Sequence, residues 1–199
     1  MRLALLLLLS FSPALLQAGE FNTVLSPGDA APAWKELPGV DGKAHSLADL
    51  PEKKLVAVVF TCNSCPIAVD YEDRILAFAA KHAESVAVVA INVNTIEEDR
   101  LEAMKAHAEE KGFTFPYLFD ETQQIAKDFG ATGTPEFCLL SPERKVIYMG
   151  ALDDNTDPAA VKTRYLEDAV AAALAGRAPE KAETFANGCR IRYERRRRE

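Results

Sequence analysis

The spacing of apolar residues predicts that strands and helices alternate along the chain. Residues 55–60 (LVAVVF) and 86–93 (VAVVAINV) are nearly continuous apolar runs, which are typical of strands buried on both faces. Between them, apolar residues recur at helical spacing over 65–82. Two further strands are predicted at 136–140 and 145–149, joined by the turn SPER. This alternation predicts an α/β domain with a central sheet.

Turn and capping residues suggest where the remaining elements begin and end. Asp41-Gly42 lies between two short extended stretches and predicts an N-terminal β-hairpin. TIEE at 95–98 has the form of a capping box, so a helix is expected from there to Gly112. Further helices are expected over 121–129 and over 157–175, the second opening with Asp-Pro.

The N-terminal residues differ from the rest of the chain. A short positive start and an apolar run over 3–11 precede Ala18, and this pattern predicts a secretory signal peptide cleaved after that residue. The run is short for crossing a bilayer, although an uncleaved anchor remains an alternative. We therefore expect a signal peptide at 1–18, a domain at 19–178 and a tail at 179–199. Export would place the protein in the periplasm or another extracytoplasmic compartment.

Composition narrows the range of partners. The 199 residues are 48% hydrophobic, which suits one domain with a substantial core. The formal net charge of -7 argues against nucleic acid as the main partner. The chain ends in RIRYERRRRE, which predicts a disordered, solvated end and leaves weak contact with an anionic membrane surface as an alternative.

The pair Cys62-Asn-Ser-Cys65 lies where the first buried strand gives way to a helix. The start of a helix presents unpaired amides and a partial positive charge, and both stabilise a thiolate. Cys62 is therefore expected to ionise more readily than a free cysteine. Cys65 lies one helical turn further on, within reach of a disulfide. This arrangement predicts catalysis by Cys62 as an exposed nucleophile and Cys65 as the resolving thiol.

The segment GATGTP, which ends at Pro135, is the second candidate part of the site. A proline at the start of a strand cannot donate to the strand ladder. If its bond to Thr134 is cis, the Thr134 backbone can face an extended substrate beside the cysteines. Thr134 and Pro135 are therefore the predicted substrate-binding residues, with an ordinary loop as the alternative.

Taken together, these motifs resemble the thioredoxin superfamily. The lead-in SPGDAAP…GVDGKAHSLADL is similar to that of the redoxin branch, which includes the alkyl hydroperoxide reductase/thiol-specific antioxidant proteins. FTCNSCPIAVDYEDR, FPYLFDETQQIAKDFGATGTPE and NGCRI are similar to a bacterial thioredoxin-like redoxin family, and the likeness covers about 25–191. The resemblance implies a central mixed β-sheet flanked by helices with an N-terminal β-hairpin extension. It also implies a redox-active CxxC pair and a cis bond before Pro135.

Departures from these families limit what the resemblance implies. The strand 55–60 lacks the buried aspartate that thioredoxin uses for proton transfer, which leaves Glu136 as a weak candidate. Peroxiredoxins need Pro-x-x-x-Thr-x-x-Cys, whereas Thr61 directly precedes Cys62 here. An antioxidant enzyme that reduces peroxides is therefore an alternative and not the first expectation.

The other cysteines and the histidines raise a metal-carrier alternative. Four cysteines can be counted as a zinc set, but the sequence has no second CxxC. His45, His82 and His107 lie away from the pair along the chain, so no metal and no cofactor are expected. Cys138 is predicted to be a small buried core residue. Cys189 can be a third redox thiol, a thiol that pairs with a partner protein, or a spare one, and its pairing with Cys138 also stays open.

The sequence therefore predicts an exported thiol–disulfide oxidoreductase. Its partners would be protein or small-molecule thiols and disulfides, together with an unidentified redox partner. Neither the direction of electron flow nor the role of Cys189 follows from the sequence.

Overall fold

The computed structural model describes residues 19–52 and 54–194. The expected signal peptide at 1–18 and the last five residues of the basic end lie outside this range. The strands are β1 Leu37–Pro38, β2 Ala44–His45, β3 Leu55–Phe60, β4 Val86–Asn92, β5 Tyr117–Phe119, β6 Gly133–Thr134, β7 Glu136–Leu140, β8 Val146–Gly150 and β9 Cys189–Arg190. The helices are α1 Pro66–Lys81, α2 Leu101–Lys111, α3 Gln124–Phe129 and α4 Tyr165–Leu174.

Five of these strands form the central sheet, in the order β5-β4-β3-β7-β8. β3 and β5 both run parallel to β4, whereas β7 runs antiparallel to β3 and to β8. The sheet is therefore mixed, as predicted. β1 and β2 form the predicted N-terminal hairpin, in which Gly42 adopts a positive φ of 76°. None of the described helices is long and apolar enough to cross a bilayer.

The central strand β3 explains why its sequence is continuously apolar. Its six residues are all buried and alternate between two cores. Ala57 and Val59 pack on the side that α1, α2 and α4 cover. Val56 and Val58 pack on the other side, with α3 and Trp34. A strand buried on both faces needs apolar side chains at every position, which confirms the prediction for 55–60.

α1, which follows the cysteine pair, is fixed by a partly buried arginine, Arg74. Arg74 Nη1 donates to Asp153 Oδ2 at 2.7 Å, and its guanidinium lies 3.5 Å from the centre of the Tyr71 ring. Tyr71 Oη in turn donates to Asp153 Oδ1 at 3.1 Å. These contacts tie the helix to the segment that follows β8, so the start of α1 has a defined position relative to the sheet.

Three predicted helix starts are wrong, and the helix predicted from 121 begins only at Gln124. TIEE does not form a capping box: Glu97–Asp99 is a 3-10 turn, and the chain is extended at Arg100 (ψ 159°) before α2 begins. Thr95 Oγ1 donates instead to Glu194 Oε1 at 2.9 Å. The last helix begins at Tyr165, because Asp157 caps only a second 3-10 turn, Pro158–Ala160.

The C-terminal segment, predicted as a disordered tail, packs against the domain in its described part. β9 pairs with β6, Ile191 is buried, and Tyr193 Oη donates to Ala131 O at 2.6 Å. The prediction of disorder is therefore wrong for 190–194. Apolar Ile191 and Tyr193 alternate with arginines, so one face of this short extended segment is buried while the charges stay outside.

Candidate active site

Both cysteines of the CxxC pair are buried in the loop between β3 and α1. Cys62 and Cys65 are each only 2% exposed, and their thiols are hydrogen-bonded to each other. The pair is thus close enough to exchange a proton. The prediction that Cys62 is exposed is wrong, because both sulfurs lie beneath neighbouring segments.

The start of α1 stabilises Cys65 and not Cys62. Cys65 is the N-cap residue, with extended backbone (φ -92°, ψ 113°), and Pro66 takes the first helical position. The Ala68 amide donates to Cys65 Sγ at 3.4 Å. A cap side chain accepts from the amides of the first turn, so the residue at the cap receives the stabilisation. The prediction that the amides of α1 favour a Cys62 thiolate is therefore wrong, because they stabilise Cys65, one helical turn further along the chain.

The hydrogen bonds around the pair separate the two pKa values. The pKa of Cys65 is lowered to about 4, first because the Cys62 thiol donates to its sulfur. Burial opposes this shift, and donation from the Cys189 thiol and the Ala68 amide adds to it. The pKa of Cys62 is raised, because its thiol is the donor to Cys65 and because it is buried. At neutral pH the reduced pair thus holds one proton, with the thiolate on Cys65.

The surroundings also accommodate the opposite arrangement of this proton. Thr134 Oγ1 lies 3.4 Å from Cys62 Sγ, and Ser64 Oγ, whose proton goes to Asp99, lies 3.8 Å from the same sulfur. A protonated Cys65 can donate to Thr134 O, which lies 3.3 Å from its sulfur. Moving the proton from Cys62 to Cys65 therefore leaves the Thr134 hydroxyl as a donor to a Cys62 thiolate and the Thr134 carbonyl as an acceptor for the Cys65 thiol.

A buried carboxylate holds the loop between the two cysteines. Asp99 is fully buried, and its Oδ1 accepts from the amides of Asn63 at 2.7 Å and Ser64 at 3.0 Å. Its Oδ2 accepts from Ser64 Oγ at 2.5 Å and from Asn94 Nδ2 at 3.2 Å. Asp99 was not among the predicted site residues, because the capping-box pattern at 95–98 places it in the first turn of a helix. The available signal was a run of acidic residues in the segment that follows a buried strand.

The Asn-Ser dipeptide between the cysteines is anchored on both sides. Asn63 Oδ1 accepts from Tyr117 Oη at 2.9 Å, and Asn63 Nδ2 donates to Glu98 O at 2.8 Å. Ser64 bonds to Asp99, as described above. The two intervening residues thus fix the loop in which both sulfurs sit.

The structure brings Thr134 and Pro135 to the cysteine pair. Their peptide bond is cis, and Thr134 directs its carbonyl towards Cys65 and its hydroxyl towards Cys62. Glu136 Oε2 accepts from the amides of Thr132 at 2.9 Å and Gly133 at 3.2 Å, so this side chain holds the loop. Burial raises the pKa of Glu136.

The remaining cysteines lie in different places. Cys189 sits in β9 directly opposite Thr134, and it hydrogen-bonds with Cys65 at the edge of the cluster formed by the pair. Cys138 is buried in β7 opposite Val58, and burial raises its pKa. Cys138 and Cys189 do not pair, because Cys138 lies in the core that packs against α3.

The histidines are engaged elsewhere. His45 Nε2 bonds to Asp41 at 2.9 Å, and His107 Nε2 bonds to Glu72 at 2.5 Å. The His82 ring packs against Phe78, with 4.7 Å between the ring centres. Among residues 19–52 and 54–194, no three His, Cys, Asp or Glu side chains are arranged to hold a metal ion.

The sheet order, the flanking helices and the β-hairpin extension define a thioredoxin-like protein. The chain belongs to the Redoxin family, whose sequence profile matches residues 26–165.

Relatives of the chain include both uncharacterised proteins and redox proteins. The crystal structure of an uncharacterised conserved protein from Geobacillus kaustophilus is 33% identical, with a TM-score of 0.80, and the match covers 87% of this chain and 95% of that one. A Mycobacterium tuberculosis protein described as a candidate peroxiredoxin is 31% identical over 116 residues, or 56% of this chain and 68% of that protein. A candidate thiol:disulfide interchange protein DsbE from Chlorobium tepidum is 27% identical, with a TM-score of 0.54, over 63% of this chain and 84% of that one.

Proposed function

We propose that this protein is an exported thiol–disulfide oxidoreductase that uses the Cys62–Cys65 pair. The observation that carries this proposal is the geometry of the pair: two hydrogen-bonded thiols at the start of α1, with Thr134 facing both sulfurs. The likeness to a candidate thiol:disulfide interchange protein supports the same chemistry.

In the first step, the proton shared by the pair moves from Cys62 to the Cys65 thiolate. The Cys62 thiolate, stabilised by the Thr134 hydroxyl, attacks one sulfur of a substrate disulfide. A bond forms between Cys62 and that sulfur, the substrate disulfide breaks, and the other substrate sulfur leaves as a thiolate. Because Cys62 is buried, a covering segment must move aside for this encounter.

In the second step, Cys65 gives its proton to the substrate thiolate that left in the first step, and then attacks Cys62 Sγ. The Cys62–Cys65 disulfide forms, the mixed disulfide breaks, and the second substrate thiolate is released. Two electrons have passed from the protein to the substrate. The same steps in reverse oxidise a dithiol, and the reduction potential of the pair relative to its partner decides the direction.

Insulin reduction with dithiothreitol as electron donor tests the proposal. Cys62→Ser and Cys65→Ser are each expected to reduce the rate of insulin precipitation to the uncatalysed background, because each removes one sulfur of the exchange. Cys138→Ser is the matched control and should retain the wild-type rate, since Cys138 lies in the core away from the pair. Wild-type activity in Cys62→Ser would contradict the assignment of the nucleophile.

The same variants test the alternative of peroxide reduction, which the mycobacterial relative raises. In the described structure, Cys62 Sγ has thiol and hydroxyl partners and no arginine partner. We therefore expect slow consumption of hydrogen peroxide in a thiol-coupled assay. Rapid consumption, with sulfenic acid trapped on Cys62, would make peroxide the substrate.

A further inference from the structure

Cys65 lies between two other thiols. It is hydrogen-bonded to Cys62 and also to Cys189. The pairing of β6 with β9 places Cys189 opposite Thr134, whose carbonyl oxygen lies 3.3 Å from Cys65 Sγ. Three sulfurs from distant parts of the chain thus form one cluster, and the two-step exchange of the proposed function uses only two of them.

Cys189 is held in this place by contacts on both sides. The Ile191 amide donates to Thr132 O at 3.0 Å, and the Arg192 amide donates to Asn94 Oδ1 at 3.2 Å. On the other side, Gly188 packs so tightly that a Cβ added there would lie 2.1 Å from Thr134 O. The Cys189 thiol therefore belongs to an ordered strand and is not a mobile tail residue.

Cys189 also differs from the pair in its accessibility. Cys62 and Cys65 are each 2% exposed, whereas Cys189 is only partly buried. Cys189 is therefore the member of the cluster that a thiol arriving from solvent meets most readily. A disulfide that moved to Cys189 would be carried from the buried pair towards the surface.

We propose that Cys189 is a third redox-active thiol that exchanges with the Cys62–Cys65 disulfide, and this rests on the proposed function. The Cys189 sulfur attacks Cys65 Sγ, a Cys65–Cys189 bond forms, and the Cys62–Cys65 bond breaks. Cys62 leaves as a thiolate and takes up the proton that Cys189 releases. No electrons are gained or lost in this step, so it needs no additional oxidant or reductant.

The charge on Cys65 makes this exchange dependent on the redox state. In the reduced protein, Cys189 donates to Cys65, and this hydrogen bond is the largest cause that raises the pKa of Cys189. A Cys65 sulfur in a disulfide carries no negative charge. It therefore no longer raises the pKa of Cys189. The third thiol thus becomes more readily ionised when there is a disulfide for it to attack. An external thiol then attacks Cys189 Sγ, forms a mixed disulfide with it and releases Cys65 as a thiolate. A second thiol of the external donor attacks the donor sulfur of this mixed disulfide, so the donor leaves as a disulfide and Cys189 is reduced.

Peptide mapping of the oxidised full chain tests this proposal. Trypsin places Cys62 and Cys65 in one peptide, 55–74, and Cys189 in another, 182–190, so a Cys65–Cys189 bond links two peptides. The reduced protein is oxidised with oxidised glutathione, quenched by alkylation and digested without reduction. We expect the linked pair to be the main disulfide product in Cys62→Ser and to be absent in Cys65→Ser. Cys138→Ser should match the wild type.

Three outcomes would overturn the proposal: no linked pair in Cys62→Ser, an equal yield in Cys65→Ser, or a linked pair in wild type whose fragment ions place the bond on Cys62. Fragment ions from wild type make the test independent of how well any variant folds. An internal 55–74 disulfide with insulin reduction but no linked pair would leave the proposed function standing and remove only this inference. A linked pair in a protein that does not reduce insulin would contradict the proposed function and leave the exchange of Cys189 with the pair standing.

Discussion

At the scale of single residues, the identity of the helix cap determines where the negative charge rests. The Ala68 amide and two thiols donate to Cys65, whereas Cys62 receives the weaker hydroxyl contacts of Thr134 and Ser64. In the reduced site the thiolate therefore lies on Cys65, the resolving cysteine. One proton transfer from Cys62 to Cys65 forms the attacking Cys62 thiolate.

This arrangement predicts how the reduced protein responds to pH. The pKa of Cys65 falls from about 9 in the unfolded chain to about 4 in the folded one, so the unfolded chain binds more protons between these values. The contribution of Cys65 to the free energy of unfolding is thus fully present above about pH 9 and is lost as the pH falls towards 4. The ultraviolet absorbance of the thiolate should decrease over the acid end of this range.

Absorbance titrations of reduced wild type, Cys65→Ser and Cys138→Ser check this prediction. The acid titration should disappear in Cys65→Ser and persist in Cys138→Ser. A thiolate signal that appears only near the pH expected for a free cysteine in wild type would show that the cap does not stabilise the anion.

The sequence predicted which residues meet at the site better than it predicted their roles. Cys62, Cys65 and Thr134 were grouped from their places at the ends of elements, and the structure brings them together. The cap was misplaced, although Pro66 signalled it, because proline prefers the first helical position and therefore points to Cys65 as the cap. Asp99 was missed because its contacts join segments 35 residues apart.

At the scale of elements, the smallest strands complete the site. β6 and β9 contain two residues each, yet their pairing sets Cys189 beside Cys65. The close approach of Gly188 to the Thr134 carbonyl allows the two segments to come together.

Gly188→Ala is expected to disrupt this pairing. Its Cβ would lie 2.1 Å from Thr134 O, a backbone atom that cannot easily move, so β9 must shift. Overpacking of this kind typically lowers the free energy of unfolding by about 1–3 kcal/mol. Urea unfolding measures this loss, and faster alkylation of Cys189 in the reduced protein should accompany it.

Gly133→Ala provides the matched control on the facing strand. The nearest atom to its added Cβ is Cys189 O at 3.4 Å, an ordinary contact, so the free energy of unfolding should change by less than about 0.5 kcal/mol. Equal effects of the two substitutions would contradict the tight approach of Gly188.

Elements with a strong local sequence signal were predicted well, whereas elements that depend on distant contacts were not. The strands 55–60 and 86–92 are continuous apolar runs, the helix over 66–81 has apolar residues at helical spacing, and the structure contains all three. The two-residue strands β6 and β9 have no such local signal, because each is formed by pairing with a partner far along the chain. The 3-10 turn Glu97–Asp99 shows a related limit, because the capping sequence before it was used for tertiary contacts instead.

At the scale of the whole molecule, the mixed sheet separates two cores, and the cysteine pair lies at the end of its central strand. The fold class could be predicted from the sequence, because the apolar runs of the long strands and the helical spacing of apolar residues in α1 are each visible within a short stretch of chain. The location of the protein in the cell depends on residues 1–18, which lie outside the described structure and make export a proposal.

Export predicts a shortened mature chain. When the full sequence is expressed in a bacterium, mass spectrometry should find a protein that begins at or near Gly19 in the extracytoplasmic fraction. Leu6→Arg with Leu8→Arg interrupts the apolar run and should keep the uncleaved protein inside the cell. An uncleaved wild-type chain in the cytoplasm or in the membrane would contradict this prediction.

The pairing of β9 with Thr134 has a consequence for how tightly any partner binds. A peptide that seeks the Thr134 edge competes with a segment tethered to the same molecule, whose effective concentration does not change on dilution. The apparent dissociation constant then equals the intrinsic one divided by the fraction of molecules in which this edge is vacant. Sequence changes at Gly188 and Ile191 would therefore tune the protein's affinity for partners without altering Thr134 or any of the three thiols.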